Sequence, residues 1–543
     1  MKFSKKILPM VLAMTMVPVM SIPTFAEDSA TASSLLAGEV EGSNVKLTNH
    51  TFAAYQIFKG DFSSGTLSNI EWGDSFSEFT YSGKSTAKEV AEKLTEEGAD
   101  ANAFAKEVAA YIKTKSIAPL YRGSNGTITL GTAGYYLIED TTDTTNKDDA
   151  KNMTLLKVTA ANQTITPKVK TDKPSVEKKV KENTKYTEDG GYGNTYNDVA
   201  DYNMGDSVNF HLIGAVPDMG NYDTYKYEFE DTLSAGLTAP AESGVKVYLS
   251  SDKKLETTGE SPDTELNAGF NVSVSTDKVT KISKINVSFS DLKTVEGIAK
   301  GMYIIVDYSA VLNQNAVVGL NGNENKVKLK YSNNPNQSGS GENTPTGETP
   351  EDKVIVFTYE LDVTKVDGQD TNKKLVGAEF KLMNANKTKY AIVENGKVTG
   401  WAENEKQGTV LTSDKDGLFT VTGLDDNTYY LKETKAPDGY NTLKDPIEFV
   451  IKATTANNQE WGGSASSAFT KLEIGLKNNK GEFEYTDGTT DDGSVSMTVK
   501  NNKGSILPET GGIGTTIFYI VGVVLVLGAG VLLVTKKRMN ADK

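Results

Sequence analysis

Apolar positions along the chain change their spacing as the sequence proceeds, and the changes divide it into three long stretches. Between Ala30 and Thr166 two spacings are mixed. Val45 to Leu47, Phe52 to Phe58 and Gly134 to Ile138 alternate or run apolar with aromatics, which predicts strands. Ala87, Val90, Ala91 and Leu94 recur instead at helical spacing behind Thr86 and Glu89, the pair of a capping box, and Phe104, Val108 and Ile112 mark one face of a second helix. From Pro174 to Lys353 the spacing is period two, at Val208 to Leu212, Val245 to Leu249 and Val327 to Tyr331, which predicts the many short strands of a β-sandwich. Pro335 to Asp352 is rich in Asn, Ser, Gly, Thr and Pro and reads as a linker. Strand spacing returns from Val354 to Lys503, at Leu361 to Val363, Leu418 to Val421, Tyr429 to Leu431 and Val495 to Val499. An all-β, rod-like series of modules is expected, the first with a helical insertion.

The two ends carry a different pattern. Lys2, Lys5 and Lys6 precede an apolar run from Ile7 to Ile22 and the small-residue site Thr24-Phe25-Ala26, so a signal peptide of residues 1–26 cleaved after Ala26 is expected. Ile517 to Val534 is almost purely apolar and, with Ile513 to Thr516, long enough to cross a bilayer. Lys536, Lys537 and Arg538 follow it and place the tail in the cytoplasm. Just upstream stands Leu507-Pro508-Glu509-Thr510-Gly511. Pentapeptide, apolar span and basic tail in this order resemble the cell-wall sorting signal of Gram-positive surface proteins. The resemblance implies that a sortase cysteine attacks the carbonyl of Thr510, releases the glycine side and passes the acyl group to an amine, so the membrane is a holding point of the precursor only. The expected divisions are 1–26, 27–167, 168–353, 354–503 and 504–543.

Composition narrows the partners. The chain has 543 residues, no cysteine and a net charge of −15, with a pI near 4.9. An extracellular rod without disulfides needs cores or another crosslink. The acidity, with no basic patch or phosphate loop, argues against nucleic acid. His50 and His211 stand far apart, and the Asp140 to Asp149 and Asp487 to Asp492 clusters lack calcium-loop spacing, so neither metal nor cofactor is expected.

The third stretch carries the sharpest motif, from Gly423-Leu424 through Tyr429-Tyr430-Leu431-Lys432-Glu433-Thr434 to Ala436-Pro437-Asp438-Gly439-Tyr440. It closely resembles the Cna B-type domain, an immunoglobulin-like sandwich, over Leu361 to Asn501. The resemblance implies that Glu433 lies buried beside Lys365, in the first strand, and Asn501, in the last. Strand alternation independently puts Lys365 on the face of Leu361 and Val363, and Asn501 on that of Val499. Desolvation lowers an amine's pKa and raises a carboxyl's, so Lys365 can attack as a neutral amine while a protonated Glu433 polarises the Asn501 carboxamide. Loss of ammonia leaves an isopeptide bond, a single self-directed event rather than enzymatic turnover. The competing reading is a snorkelling lysine and an exposed strand glutamate.

A similar opening, Ser175-Val176-Glu177-Lys178-Lys179-Val180, begins the second stretch, where Lys178 shares a face with Val176 and Val180. Tyr227 to Leu237 resembles the pilin middle-domain strand in which an aspartate helps the reaction, here Asp231, and the asparagine is Asn325 or, alternatively, Asn333. In the first stretch Tyr135 to Glu139 echoes the glutamate strand and Lys46 is a conceivable amine, but no asparagine suits them and ordinary strand residues are the preferred reading. Ile165-Thr166-Pro167-Lys168 resembles the YPK motif of backbone pilins with Thr166 in the tyrosine's place; Lys168 is then the acceptor of the next subunit's Thr510, with Lys170 and Lys173 as competitors. The whole resembles a sortase-assembled pilus backbone subunit whose partners are a sortase, further copies of itself in a head-to-tail fibre, and peptidoglycan. The alternative is a monomeric wall-anchored adhesin for a host or matrix ligand.

Overall fold

The computed structural model describes residues 50–504 and 513–539, apart from 64–65, 97, 143–152, 159, 168–172, 185–190, 194, 221, 260, 335–344, 457–458 and 460. Ala26, Lys46, Lys168, Lys170 and the Leu507 to Gly511 pentapeptide fall outside the described residues.

In the first module Phe52–Ser63 pairs with Thr66–Trp72, with Gly134–Asp140 and with Tyr121–Gly123. Ile128–Leu130 and Gln163–Ile165 form a second ladder. The expected helices are Ala87–Lys93 and Ala101–Lys115. Thr86 caps the first: its Oγ1 accepts from the Glu89 amide at 3.3 Å and donates to the Glu89 carboxylate at 2.7 Å. Val90, Phe104 and Val108 pack with Tyr135 and Leu137 on one sheet face, while Tyr136 and Ile138 pack with Ile128 and Ile165 on the other. Burial on both faces is why Tyr135 to Ile138 is a continuous apolar run.

The middle module is a sandwich of two sheets, each of seven strands among the described residues. One holds Asn323–Ser332 between Tyr227–Leu233 and Asp352–Phe357; the other holds Ser207–Ala215 between Val176–Lys181 and Tyr303–Leu312. The expected linker is shorter than its composition suggests, because Thr346–Glu348 is a strand on the edge of Asn323–Ser332. The expected division at 353/354 falls inside Asp352–Phe357, which pairs antiparallel with Asn323–Ser332 and parallel with Val199–Asp201. The chain leaves the middle sheets only at the buried Thr358.

In the third module one continuous sheet folds on itself, and its first strand, Tyr359–Asp367, lies parallel to its last, Ser494–Asn501. A single apolar cluster runs from the middle module into the third. Their joint is tight: the Tyr359 hydroxyl donates to Asp201 at 2.8 Å, Tyr429 donates to Asn203 at 2.8 Å, and the Met204 amide donates to the Gly423 carbonyl at 3.0 Å. Farther on, Ile513–Met539 is a helix whose Ile517–Lys537 segment is long and apolar enough to span a bilayer.

At the joint, Gly319 has φ +79° and a Cβ there would lie 2.5 Å from the Asp492 carbonyl carbon and 2.6 Å from the Gly493 nitrogen. Both are backbone atoms that cannot swing aside. Gly319→Ala should destabilise the joined modules by about 2 kcal/mol, read as a lower midpoint in thermal unfolding. An unchanged midpoint would show that the two modules are not held in this contact.

Candidate functional site

In the third module alternation turns Leu361, Val363 and Lys365 inward on the first strand and Val495, Met497, Val499 and Asn501 inward on the last. The parallel register sets Lys365 beside Val499 and Asp367 beside Asn501. Lys365 is fully buried and its Nζ donates to the Val499 carbonyl at 3.2 Å. Burial pushes the amine down from 10.5 to about 8, with the nearby Glu433 carboxylate opposing the shift. Glu433, on Thr428–Lys435, accepts at Oε2 from the Leu443 amide at 2.7 Å and from Asn501 Nδ2 at 3.0 Å. Asn501 Nδ2 also donates to the Asn441 carbonyl at 2.8 Å. Glu433 Oε1 and Asn501 Oδ1 are buried without hydrogen-bond partners among the described residues.

The second half of the motif forms a strap over this group. Gly439 turns the chain with φ +84°, Tyr440 donates to Asp367 at 2.8 Å, and Asn441 and Leu443 then supply the two backbone contacts to Asn501 and Glu433. On the other side Gly417, at φ +72°, accepts from the Lys365 amide at 2.7 Å; a Cβ at Gly417 would stand 2.7 Å from the Lys365 carbonyl oxygen.

The middle module builds a related group across its two sheets. Lys178, fully buried, ion-pairs through Nζ with Asp231 Oδ1 and donates to the Tyr308 hydroxyl at 3.2 Å. Its own amide donates to Asp352 at 2.6 Å. Tyr308 donates to Asp231 Oδ2 at 2.5 Å and accepts from Asn325 Nδ2 at 2.7 Å. Burial lowers Lys178 to about 8, against the pull of Asp231, and raises Asp231. Both shifts favour the neutral amine beside the protonated carboxyl. Asp231 pairs with Val327 and Leu233 with Asn325, so Asp231 and Asn325 are diagonal neighbours on one face. Asn333 follows the other end of the same strand, roughly 26 Å away at about 3.3 Å per residue. The geometry therefore brings Asn325, and not Asn333, to Lys178 and Asp231. Asn325 Oδ1 is buried without a partner among the described residues.

Sequence reasoning missed Tyr308, Gly417, Asn441 and Leu443. Only the last two carried a signal, lying immediately after the Ala436 to Tyr440 motif. In the first module burial, helped by the half-buried Glu139 carboxylate beside it, pushes the Tyr55 hydroxyl up to about 12. His50 contacts Asp140 at 2.6 Å, and His211 stacks on Tyr196 with ring centres 4.0 Å apart; both are buried in cores. The buried Pro167 is the last described residue before Lys168.

The prealbumin-like fold domain of the SpaA family matches residues 359–464, and the LPXTG cell wall anchor motif matches residues 499–541. The trypsin-resistant surface T6 protein of Streptococcus pyogenes serotype M6 is 27% identical over 384 residues, covering 61% of this chain and 64% of that protein. The chain thus spans somewhat less than two thirds of that relative's length. Among solved structures, the T6 backbone pilin of serotype M6 S. pyogenes aligns with TM-score 0.49 and 18% identity, over 85% of this chain and 98% of the other. The major pilin SpaD of Corynebacterium diphtheriae aligns with TM-score 0.41 and 16% identity, over 84% and 93%. With a SpaA-type prealbumin-like domain leading into an LPXTG anchor, the chain is a cell-wall-anchored surface protein similar to the T6 surface protein of S. pyogenes.

Proposed function

We propose that this chain is the structural subunit of a covalently polymerised pilus, joined by a sortase from Thr510 of one copy to Lys168 of the next and locked from within by Lys365–Asn501 and Lys178–Asn325 isopeptide bonds. The observation that carries the reading is the repetition of one buried group, lysine with carboxyl and asparagine, in two consecutive modules upstream of a cell-wall anchor. Similarity to the T6 protein supports the pilus assignment, and the exposed Thr166 beside Pro167 suits an accessible acceptor at the module junction.

The chemistry follows from the contacts. A neutral lysine Nζ attacks the asparagine Cγ, the Nζ–Cγ bond forms, the Cγ–Nδ2 bond breaks, and Nδ2 leaves as ammonia with a proton that came from the lysine. Glu433 touches the departing nitrogen of Asn501 directly and so is placed to protonate it. Each bond closes a loop of well over 100 residues, and the chain-entropy estimate for such a loop is roughly 5 kcal/mol.

Intact mass should fall below the sequence value by about 17 Da per bond, the ammonia lost. Glu433→Ala and Asp231→Ala should each restore about 17 Da and lower the stability of their own module. A wild-type mass equal to the sequence value would overturn the internal bonds.

Cell-wall extracts boiled in SDS should give a high-molecular-weight ladder that disappears with Lys168→Ala. A single band from the wild type would leave a wall-anchored monomer instead.

In an Asn501→Ala chain Lys365 stays free, holding its proton up to about 10.5 when unfolded but only to about 8 when folded. Unfolding then takes up a proton between these values, so stability rises as pH climbs from about 8 to about 10.5, and the full burial penalty is present below about 8. The wild type, with Lys365 in a neutral amide, should lack this component. Denaturant unfolding of both chains across that window checks the sign, and parallel pH profiles would contradict it.

A further inference from the structure

The middle-module group contains a side chain with no counterpart among the described residues of the third. Where Glu433 reaches Asn501 Nδ2 itself, the amide of Asn325 donates to the Tyr308 hydroxyl, and that hydroxyl donates to Asp231. Aspartate is one methylene shorter than glutamate, and the phenol spans the difference. Tyr308 Oη thus contacts the nucleophilic nitrogen of Lys178 at 3.2 Å, the departing nitrogen of Asn325 at 2.7 Å, and the carboxyl between them at 2.5 Å. The ring is held by Phe210, stacked with centres 5.5 Å apart, on the strand between those of Lys178 and Tyr308. A buried hydroxyl in contact with all three reacting groups is in the position of a proton relay.

We propose that Tyr308 is a catalytic residue of the Lys178–Asn325 reaction, carrying the proton from Asp231 to the ammonia that leaves Asn325. The assignment rests on the isopeptide reading of the middle module. With Asp231 protonated at Oδ2, the Tyr308 hydroxyl, which donates to Oδ2 when the carboxyl is ionised, turns to accept from Oδ2 and donate to Nδ2. As Nζ bonds to Cγ it gives a proton to Asp231 Oδ1, the Oδ2 proton passes to Tyr308 Oη, and the hydroxyl proton of Tyr308 passes to Nδ2. The Cγ–Nδ2 bond breaks, ammonia departs, and Asp231 and Tyr308 end in the protonation states in which they began. Nothing is oxidised or reduced, and no further reactant is needed.

The test follows crosslinking with time after cell-free synthesis of the full chain, by mass spectrometry of the crosslinked peptides. The Lys365–Asn501 peptide of the same molecule serves as internal control. Tyr308→Phe keeps the ring and should slow the Lys178–Asn325 bond by about 100-fold, within the range general acid–base catalysis supplies, while the control bond forms at its normal rate. Phe210→Leu disturbs the packing of the same ring but keeps the hydroxyl, and should form the middle bond at close to the wild-type rate. A Tyr308→Phe chain that crosslinks like the wild type overturns the relay and leaves the isopeptide reading intact. Equal loss in both variants assigns Tyr308 to packing and also overturns it. A wild-type chain without the Lys178–Asn325 peptide removes the isopeptide reading and the relay together.

Discussion

A lysine ammonium shut inside an apolar sandwich is the constraint on which the middle and third modules depend. Lys178 and Lys365 both lie fully buried, among Val180 and Phe210 in one module and Val363 and Val499 in the other. Water is not available there to solvate a charge, so the amine gives up its proton more readily, and both lysines are lowered to about 8. Ordinary ion pairing is a poor answer to such burial, because the desolvation cost of two ions offsets their attraction. The proposed conversion of the amine into an amide would remove the charge altogether. The same burial that would destabilise an unreacted module therefore supplies the reactivity, and a product without the buried charge is the more stable one.

The two groups solve one geometric problem differently. In the third module the carboxyl comes from a strand across the core, and the strap from Gly439 to Leu443 closes over it, holding Glu433 and Asn501 through backbone donors and acceptors. In the middle module the carboxyl and the asparagine are diagonal neighbours on one sheet, while the lysine and the phenol come from the other. Their alignment thus depends on how the two sheets pack, and Asp352, accepting from the Lys178 amide, ties the lysine strand to the opposite sheet. A local motif can specify the first arrangement. The second requires a complete sandwich.

That difference decides what could be read without coordinates. Glu433, Lys365 and Asn501 were legible because period-two alternation gives the facing of a strand residue and the motif names the carboxyl. The helices of the first module were legible from Thr86, Glu89 and their apolar spacing, and the capped helix is present. Tyr308 was not legible. It sits in Tyr303–Leu312 as one apolar position among many, and its meaning arises only from the register across three strands, Phe210 opposite Tyr308 and Lys178 opposite Leu212. Between Asn325 and Asn333 alternation could not choose, since residues eight apart share a face; the pairing of Asp231 with Val327 separates them. The module division was misplaced for a similar reason. The run from Val354 to Phe357 looks like the opening of the third module after a polar linker, but main-chain pairing with Val199–Asp201 and Asn323–Ser332 makes it the closing strand of the second.

This placement has a mechanical consequence for a fibre loaded from end to end. With the proposed bonds in place, tension entering at the Val176–Lys181 strand crosses from Lys178 to Asn325, and tension leaving the third module crosses from Lys365 to Asn501. Almost all of the third module and most of the middle one are then outside the load path. What remains in it is the stretch from Asn325 to Lys365, which no internal bond bridges. Load there is borne by the antiparallel pairing of Asp352–Phe357 with Asn323–Ser332, by its parallel pairing with Val199–Asp201, and by the contacts of Tyr359 with Asp201 and of Gly319 with Gly493. Ladder hydrogen bonds net only about 1 kcal/mol each, so this joint yields before any covalent bond does. The tight glycine packing and the apolar cluster continuous across it would thus sit where the proposed bonds stop, and the joint between the two modules would be the compliant element of such a fibre.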